Sequence, residues 1–177
     1  NKLLKSFQKK LLTHYITFPL LFEANSCKIS TKERQVNMAY DPQYRIPWIV
    51  FDRDLVVDFD EIIDSARKKD IHVGWSNPCF EIWLSAYFGI MPKIKESTRC
   101  CSEFSRVYER NTDQKYEKSN EHLYQKLIEN GDEEKAIHLA KLKLKQCERE
   151  NKVKPSEMFP CTTVYQLIED IKNKSKV

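Results

Sequence analysis

Glycine is nearly absent from this 177-residue chain, with three in all, and no glycine-rich phosphate loop, Walker lysine motif or serine elbow occurs. P-loop ATPases and the common serine hydrolases are therefore disfavoured, since their chemistry depends on those motifs. A strong charge of either sign is also lacking. Thirty Lys and Arg against 26 Asp and Glu give +4, which permits contact with nucleic acid but falls well short of a dedicated binder. The six cysteines, at 27, 79, 100, 101, 147 and 161, include no CxxC pair and no histidine at finger-like spacing. They read as reduced thiols rather than zinc ligands. No apolar run approaches the roughly 18 residues that span a bilayer, and no signal peptide opens the chain, so a cytoplasmic protein without a membrane partner is expected. The chain starts at Asn1 in a helical period of Leu3, Leu4, Phe7 and Leu11, and so reads as beginning inside a longer protein.

What is present suffices for a core: 41% of residues are hydrophobic and 11% aromatic. One compact domain is expected, with an α/β core over residues 1–92 and a helical extension over 93–177 packed on it. Residues 14–24 mix β-branched and aromatic side chains and suggest a strand interrupted or edged by Pro19, and a short helix follows up to Tyr40. Residues 46–51, Ile-Pro-Trp-Ile-Val-Phe, read as a central strand buried on both faces of a parallel sheet. Asp58 and Glu61 have capping-box spacing before a helix whose apolar face is Phe59, Ile62, Ile63 and Ala66. Residues 71–75 form the next strand, and Asn77-Pro78 reads as cap and first position of a helix through Phe88. Beyond Lys93 strand-like runs vanish, and helices are predicted near 101–110, 120–130, 133–151 and 162–173.

Chemistry is expected where the central strand ends, at Phe51-Asp52-Arg53-Asp54, because open α/β sheets bind ligands beyond the carboxyl ends of their strands. Two aspartates at i and i+2 can both reach a hard divalent cation such as Mg²⁺ (or Mn²⁺), which suits phosphoester hydrolysis. The plainer reading is a surface loop in which Arg53 neutralises one aspartate. Ser76, Asn77 and Glu81 leave the neighbouring strand on the same edge, where helix-start amides can hold a phosphate and Glu81 can join the metal site. Ordinary capping accounts for the same residues. A basic stretch of Lys135, Lys141, Lys143, Lys145, Arg149, Lys152 and Lys154 can follow a nucleic-acid backbone. Its helix also carries a packing stripe of Ile137, Ala140, Leu144 and Cys147, which favours a simply solvated face. The four histidines lack metal-ligand spacing.

Two blocks, Trp48-Ile49-Val50-Phe51-Asp52-Arg53-Asp54 and Val73-Gly74-Trp75-Ser76-Asn77-Pro78-Cys79-Phe80-Glu81-Ile82-Trp83-Leu84, resemble the hallmark segments of RloB-like proteins. Tyr116-Glu117-Lys118 and Pro160-Cys161-Thr162-Thr163-Val164 follow in the same order, so the resemblance runs from about residue 46 to the C-terminus. AbiLii-type abortive-infection proteins belong to the same group. The resemblance implies a Toprim-like parallel sheet flanked by helices and a role in bacterial defence against phage, beside a co-encoded SMC/ABC-type ATPase. It matches the family's aspartate pair to Asp52 and Asp54. A further acid in a Glu-Gly motif after the first strand would complete the metal site. No Glu-Gly occurs here; residues 1–12 resemble the helix that follows that motif, and Glu23 is a poor substitute.

Together these readings predict a Mg²⁺-dependent nuclease acting on RNA or DNA. Asp52, Asp54 and Glu81 would be catalytic, Asp52 and Asp54 would hold the metal, and Arg53, Ser76, Asn77 and Lys118 would contact substrate. The rival reading is a non-catalytic scaffold that binds the ATPase or nucleic acid.

Overall fold

A computed structural model describes residues 47–54 and 56–174. The strand and helix read in residues 14–40, the helical start and Glu23 lie outside the described residues. Among the described residues a small mixed sheet carries six α-helices, most of the chain being helical.

The apolar run after Pro47 forms β1 (Trp48–Asp52), and the next one forms β2 (His72–Asn77). They pair in parallel, with Ile49 opposite Val73 and Asp52 opposite Ser76. Helix α1 (Phe59–Arg67) makes the crossover. Because side chains alternate along a strand, Ile49, Phe51, Val73 and Trp75 share one face, where they pack with Phe59, Ile63 and Ala66 of α1. Truncating a fully buried residue here, such as Ile63→Ala, would cost about 2–5 kcal/mol. Trp48, Val50 and Asp52 occupy the other face and are only half-buried, so β1 is not sealed on both faces as its composition suggests.

That second face is covered by helices α2 (Glu81–Ala86) and α6 (Val164–Lys174). Helices α3 (Ser97–Thr112), α4 (Leu123–Asn130) and α5 (Glu133–Arg149) pack around α2 through Ile82, Trp83, Tyr87, Phe104, Leu127, Ile137 and Ala140. Gly131 makes the turn between α4 and α5, where a Cβ would come within 2.9 Å of the Tyr87 carbonyl oxygen. Asp132 then caps α5 by accepting from the Lys135 amide.

Three further expectations need correction. The late region does hold a strand, β3 (Cys161–Thr162), which pairs antiparallel to β2 and makes the sheet mixed rather than parallel. Two residues are too few to generate a strand-like pattern; tertiary pairing with Ser76 and Asn77 determines their conformation. Asn77 is not a helix cap. It ends β2, and its amide instead donates to the carbonyls of Pro155, Ser156 and Met158, so that α2 starts at Glu81 after a turn. Asp58 precedes α1 without a side-chain cap bond, while Asp60 accepts from the Ser156 amide and hydroxyl.

Candidate functional site

The parallel pairing of β1 and β2 brings Asp52 and the turn after Asn77 to one sheet edge. The Arg53 amide donates to the Ser76 carbonyl at 2.9 Å, and the Asp54 amide to the Pro78 carbonyl at 3.1 Å. These two bonds fix the exit of β1 against the exit of β2. Asp52 lies half-buried on the helix-covered face, whereas Arg53 and Asp54 are exposed. The Phe80 amide donates to the Asp52 carboxylate. The turn amide expected to be available to a phosphate is therefore occupied by the chain's own aspartate.

Glu81, the first residue of α2, is 1% exposed. Its Oε1 lies 3.1 Å from Lys118 Nζ, and it accepts from the Tyr116 hydroxyl at 3.4 Å and the Cys101 thiol at 3.3 Å. A buried carboxylate needs such donors, because desolvating a charge without partners is costly. The consequences spread through the cluster. Burial works to lower the Lys118 ammonium's pKa, but the charge and hydrogen bond of Glu81, with those of Cys101, together outweigh it and the net shift is upward. Burial and then Glu81 push the Tyr116 hydroxyl well up, and the same causes bring the Cys101 thiol to about 11.

Asp52 responds most clearly. Withdrawal from solvent, then the negative charges of Glu81 and Asp54, raise it from 3.8 to about 8, against the opposing pull of the Phe80 amide and Lys118. Three carboxylates thus crowd one edge, and one of them is held protonated near neutral pH. A hard cation would relieve that repulsion.

Ser76 and Asn77 are buried. The Ser76 hydroxyl pairs with that of Thr162 at 3.0 Å, and the Asn77 amide grips the 155–158 turn, so both join the edge to β3. The edge therefore brings together Asp52, Asp54, Glu81, Arg53 and Lys118. Sequence reasoning missed Cys101 and Tyr116; the only signal was Tyr116 lying beside Lys118 in a block of family resemblance.

Among the described residues no group of three or more His, Cys, Asp and Glu side chains is arranged to hold a metal ion. Asp52 and Asp54 still supply the donor type Mg²⁺ takes, since that ion commonly uses one or two protein carboxylates and keeps several waters. The donor set fits the ion, as does the charge stress on Asp52.

The architecture defines an α/β protein with a carboxylate-bearing sheet edge. A family model described as RloB-like protein matches residues 5–171, and the chain belongs to that family. No curated protein and no solved structure matches it. No helix among the described residues is long and apolar enough to cross a membrane.

Proposed function

We propose that this RloB-like protein is a phage-defence effector of abortive-infection type, a Toprim-like nuclease that cleaves nucleic-acid phosphodiesters with Mg²⁺ or Mn²⁺ held by Asp52 and Asp54. One observation carries the reading: Asp52 is raised to about 8 by burial and by two neighbouring carboxylates at the carboxyl end of parallel strands. Such charge stress is a mark of functional sites. When bound, the metal would neutralise phosphate charge and activate water.

The remaining roles belong to the chain. Glu81 adds the third negative charge beside Asp52, and Lys118 balances it while lying exposed enough to reach a substrate phosphate. Arg53, exposed between the aspartates, is a second phosphate contact. Ser76 and Asn77 act by fixing the edge to β3 and its preceding turn. The protein works in the cytoplasm beside a co-encoded SMC/ABC-type ATPase.

The test is cleavage of labelled RNA, single-stranded DNA and duplex DNA with Mn²⁺, with Mg²⁺ and with chelator. Asp52→Ala and Asp54→Ala should each abolish metal-dependent cleavage in a domain that remains folded and still melts cooperatively. Undiminished cleavage by both variants would refute the mechanism.

A second reading has its own support. Glu81 Oε1 is already met by Lys118, Tyr116 and Cys101, and a complete three-ligand group is missing among the described residues. In that reading the domain is a scaffold binding the ATPase or nucleic acid. Complex formation would then survive loss of both aspartates.

A further inference from the structure

Away from the carboxylates, a cavity of about 120 Å³ opens between the C-terminal half of α5 and the segment leading into β3. Lys93, Lys143 and Lys152 line it, with Glu150 the one acidic group in the lining and Phe159 and Pro160 forming an apolar wall. Glu150 is bonded internally, to Lys152 at 2.7 Å and to Gln146 at 2.9 Å. Gln146 in turn accepts from Lys143 at 3.3 Å. These bonds hold the Lys143 and Lys152 amino groups at the opening, and with Lys93 the lining carries an excess of two positive charges over Glu150. Lys143 and Lys152 are half-buried residues, their stems packed at the cavity, while Lys93 is exposed.

Topology gives the cavity its meaning. Pro160 immediately precedes Cys161, which pairs with Asn77 at the carboxyl end of β2, and β1 ends beside it at Asp52. One wall of the cavity, Pro160, therefore stands at the sheet edge where β1 and β2 end, with β3 two strands from β1.

We propose that this cavity is a phosphate subsite for single-stranded nucleic acid, with Lys93, Lys143 and Lys152 clasping a backbone phosphate and Phe159 lying against the adjoining sugar or base. The proposal rests on the reading of the domain as a nucleic-acid enzyme and extends it by naming where the strand is held. Lysine is suited to this task as a point charge that binds phosphate without demanding a fixed geometry.

The test is fluorescence anisotropy of the whole chain with a labelled single-stranded oligonucleotide in chelator, across a salt series. The Lys93→Gln/Lys143→Gln/Lys152→Gln variant should bind at least ~10-fold more weakly, with a salt slope smaller by about two to three. A control removing equal charge, Lys68→Gln/Lys69→Gln/Lys145→Gln, should lose less than ~3-fold, because the interaction is local rather than a general field. Equal losses in the two variants would overturn the proposal, as would displacement of the oligonucleotide by polyglutamate at the same concentration as by a second oligonucleotide. If the triple variant melts early, Lys93→Gln alone carries the test, and unchanged binding there overturns it. Asp52→Asn/Asp54→Asn separates the two claims. Binding retained in that variant but lost in the lysine variant supports the subsite even where no cleavage occurs, whereas cleavage that ignores the three lysines removes the subsite and leaves the nuclease reading standing.

Discussion

Two buried glutamates in this fold have nearly the same partners. Glu133, 9% exposed at the start of α5, accepts from the Tyr87 hydroxyl at 2.8 Å and the Tyr124 hydroxyl at 3.0 Å, and pairs with Lys172 at 2.6 Å. Glu81, at the start of α2, has Tyr116, Cys101 and Lys118. The difference lies in the next neighbour. Glu133 shares Lys172 with the exposed Glu134 and ties α5 to α4 and α6, whereas Glu81 has a second carboxylate withdrawn from solvent, Asp52, close enough to be raised by it. A lysine and a tyrosine around a buried acid thus describe a structural pin as readily as a site. Unrelieved like charge is what separates the two, because a fold gains nothing from it unless a cation or a proton compensates.

The largest expected effect is at Glu133. Glu133→Ala removes the carboxylate that the Tyr87 and Tyr124 hydroxyls donate to and leaves Lys172 with Glu134 alone, and should lower stability by ~3 kcal/mol in urea denaturation, with metal binding unchanged. Glu81→Ala should cost ~1–2 kcal/mol less, because the loss of its partners is offset by relief of Asp52. Equal costs would dissolve the contrast between the two glutamates.

Next comes the pH dependence of Asp52. Its folded value of about 8 lies above the unfolded 3.8, so between these values the folded state binds more protons. Its contribution to stability is therefore lost as pH rises through that window and is level below and above it. Asp52→Asn should remove this slope. Against wild type the variant should gain stability from pH 5 to pH 8.5, by an amount on the order of a few kcal/mol. A wild type and variant that track one another across this range would contradict the assigned charge stress.

The smallest effects are at the tyrosines. Tyr124→Phe removes a 3.0 Å bond and should cost ~1 kcal/mol, while Tyr116→Phe removes a 3.4 Å contact and should cost about half of that. The same denaturation measurement distinguishes them.

The sheet edge was legible in the sequence because its signals are local. The run Trp48 to Phe51 and the run before Ser76 are apolar enough to specify strands, and the helix between them requires a parallel pair, so Asp52 and Glu81 fall on one edge. The helical second half was legible for the same reason: Ile137, Ala140 and Cys147 recur at helical spacing and are buried. What could not be read depends on contacts distant in the chain. β3 exists because Thr162 meets Ser76, 86 residues earlier. Asn77-Pro78 has the form of a helix start, yet the Asn77 amide finds three carbonyls some 80 residues on and remains in the strand. The cage of Glu81 is likewise assembled from Cys101, Tyr116 and Lys118, whose spacing carries no periodic signal. Nor does sequence distinguish Glu81 from Glu133; both are first-turn acids of helices.

The most direct test is calorimetric titration of the protein with Mn²⁺ and Mg²⁺, comparing wild type with Asp52→Ala/Asp54→Ala and with Glu133→Ala. The account predicts binding in wild type and in Glu133→Ala and its loss in the double aspartate variant. Absence of binding in wild type, or binding that the double variant retains, would contradict the assignment of the sheet edge as a metal site.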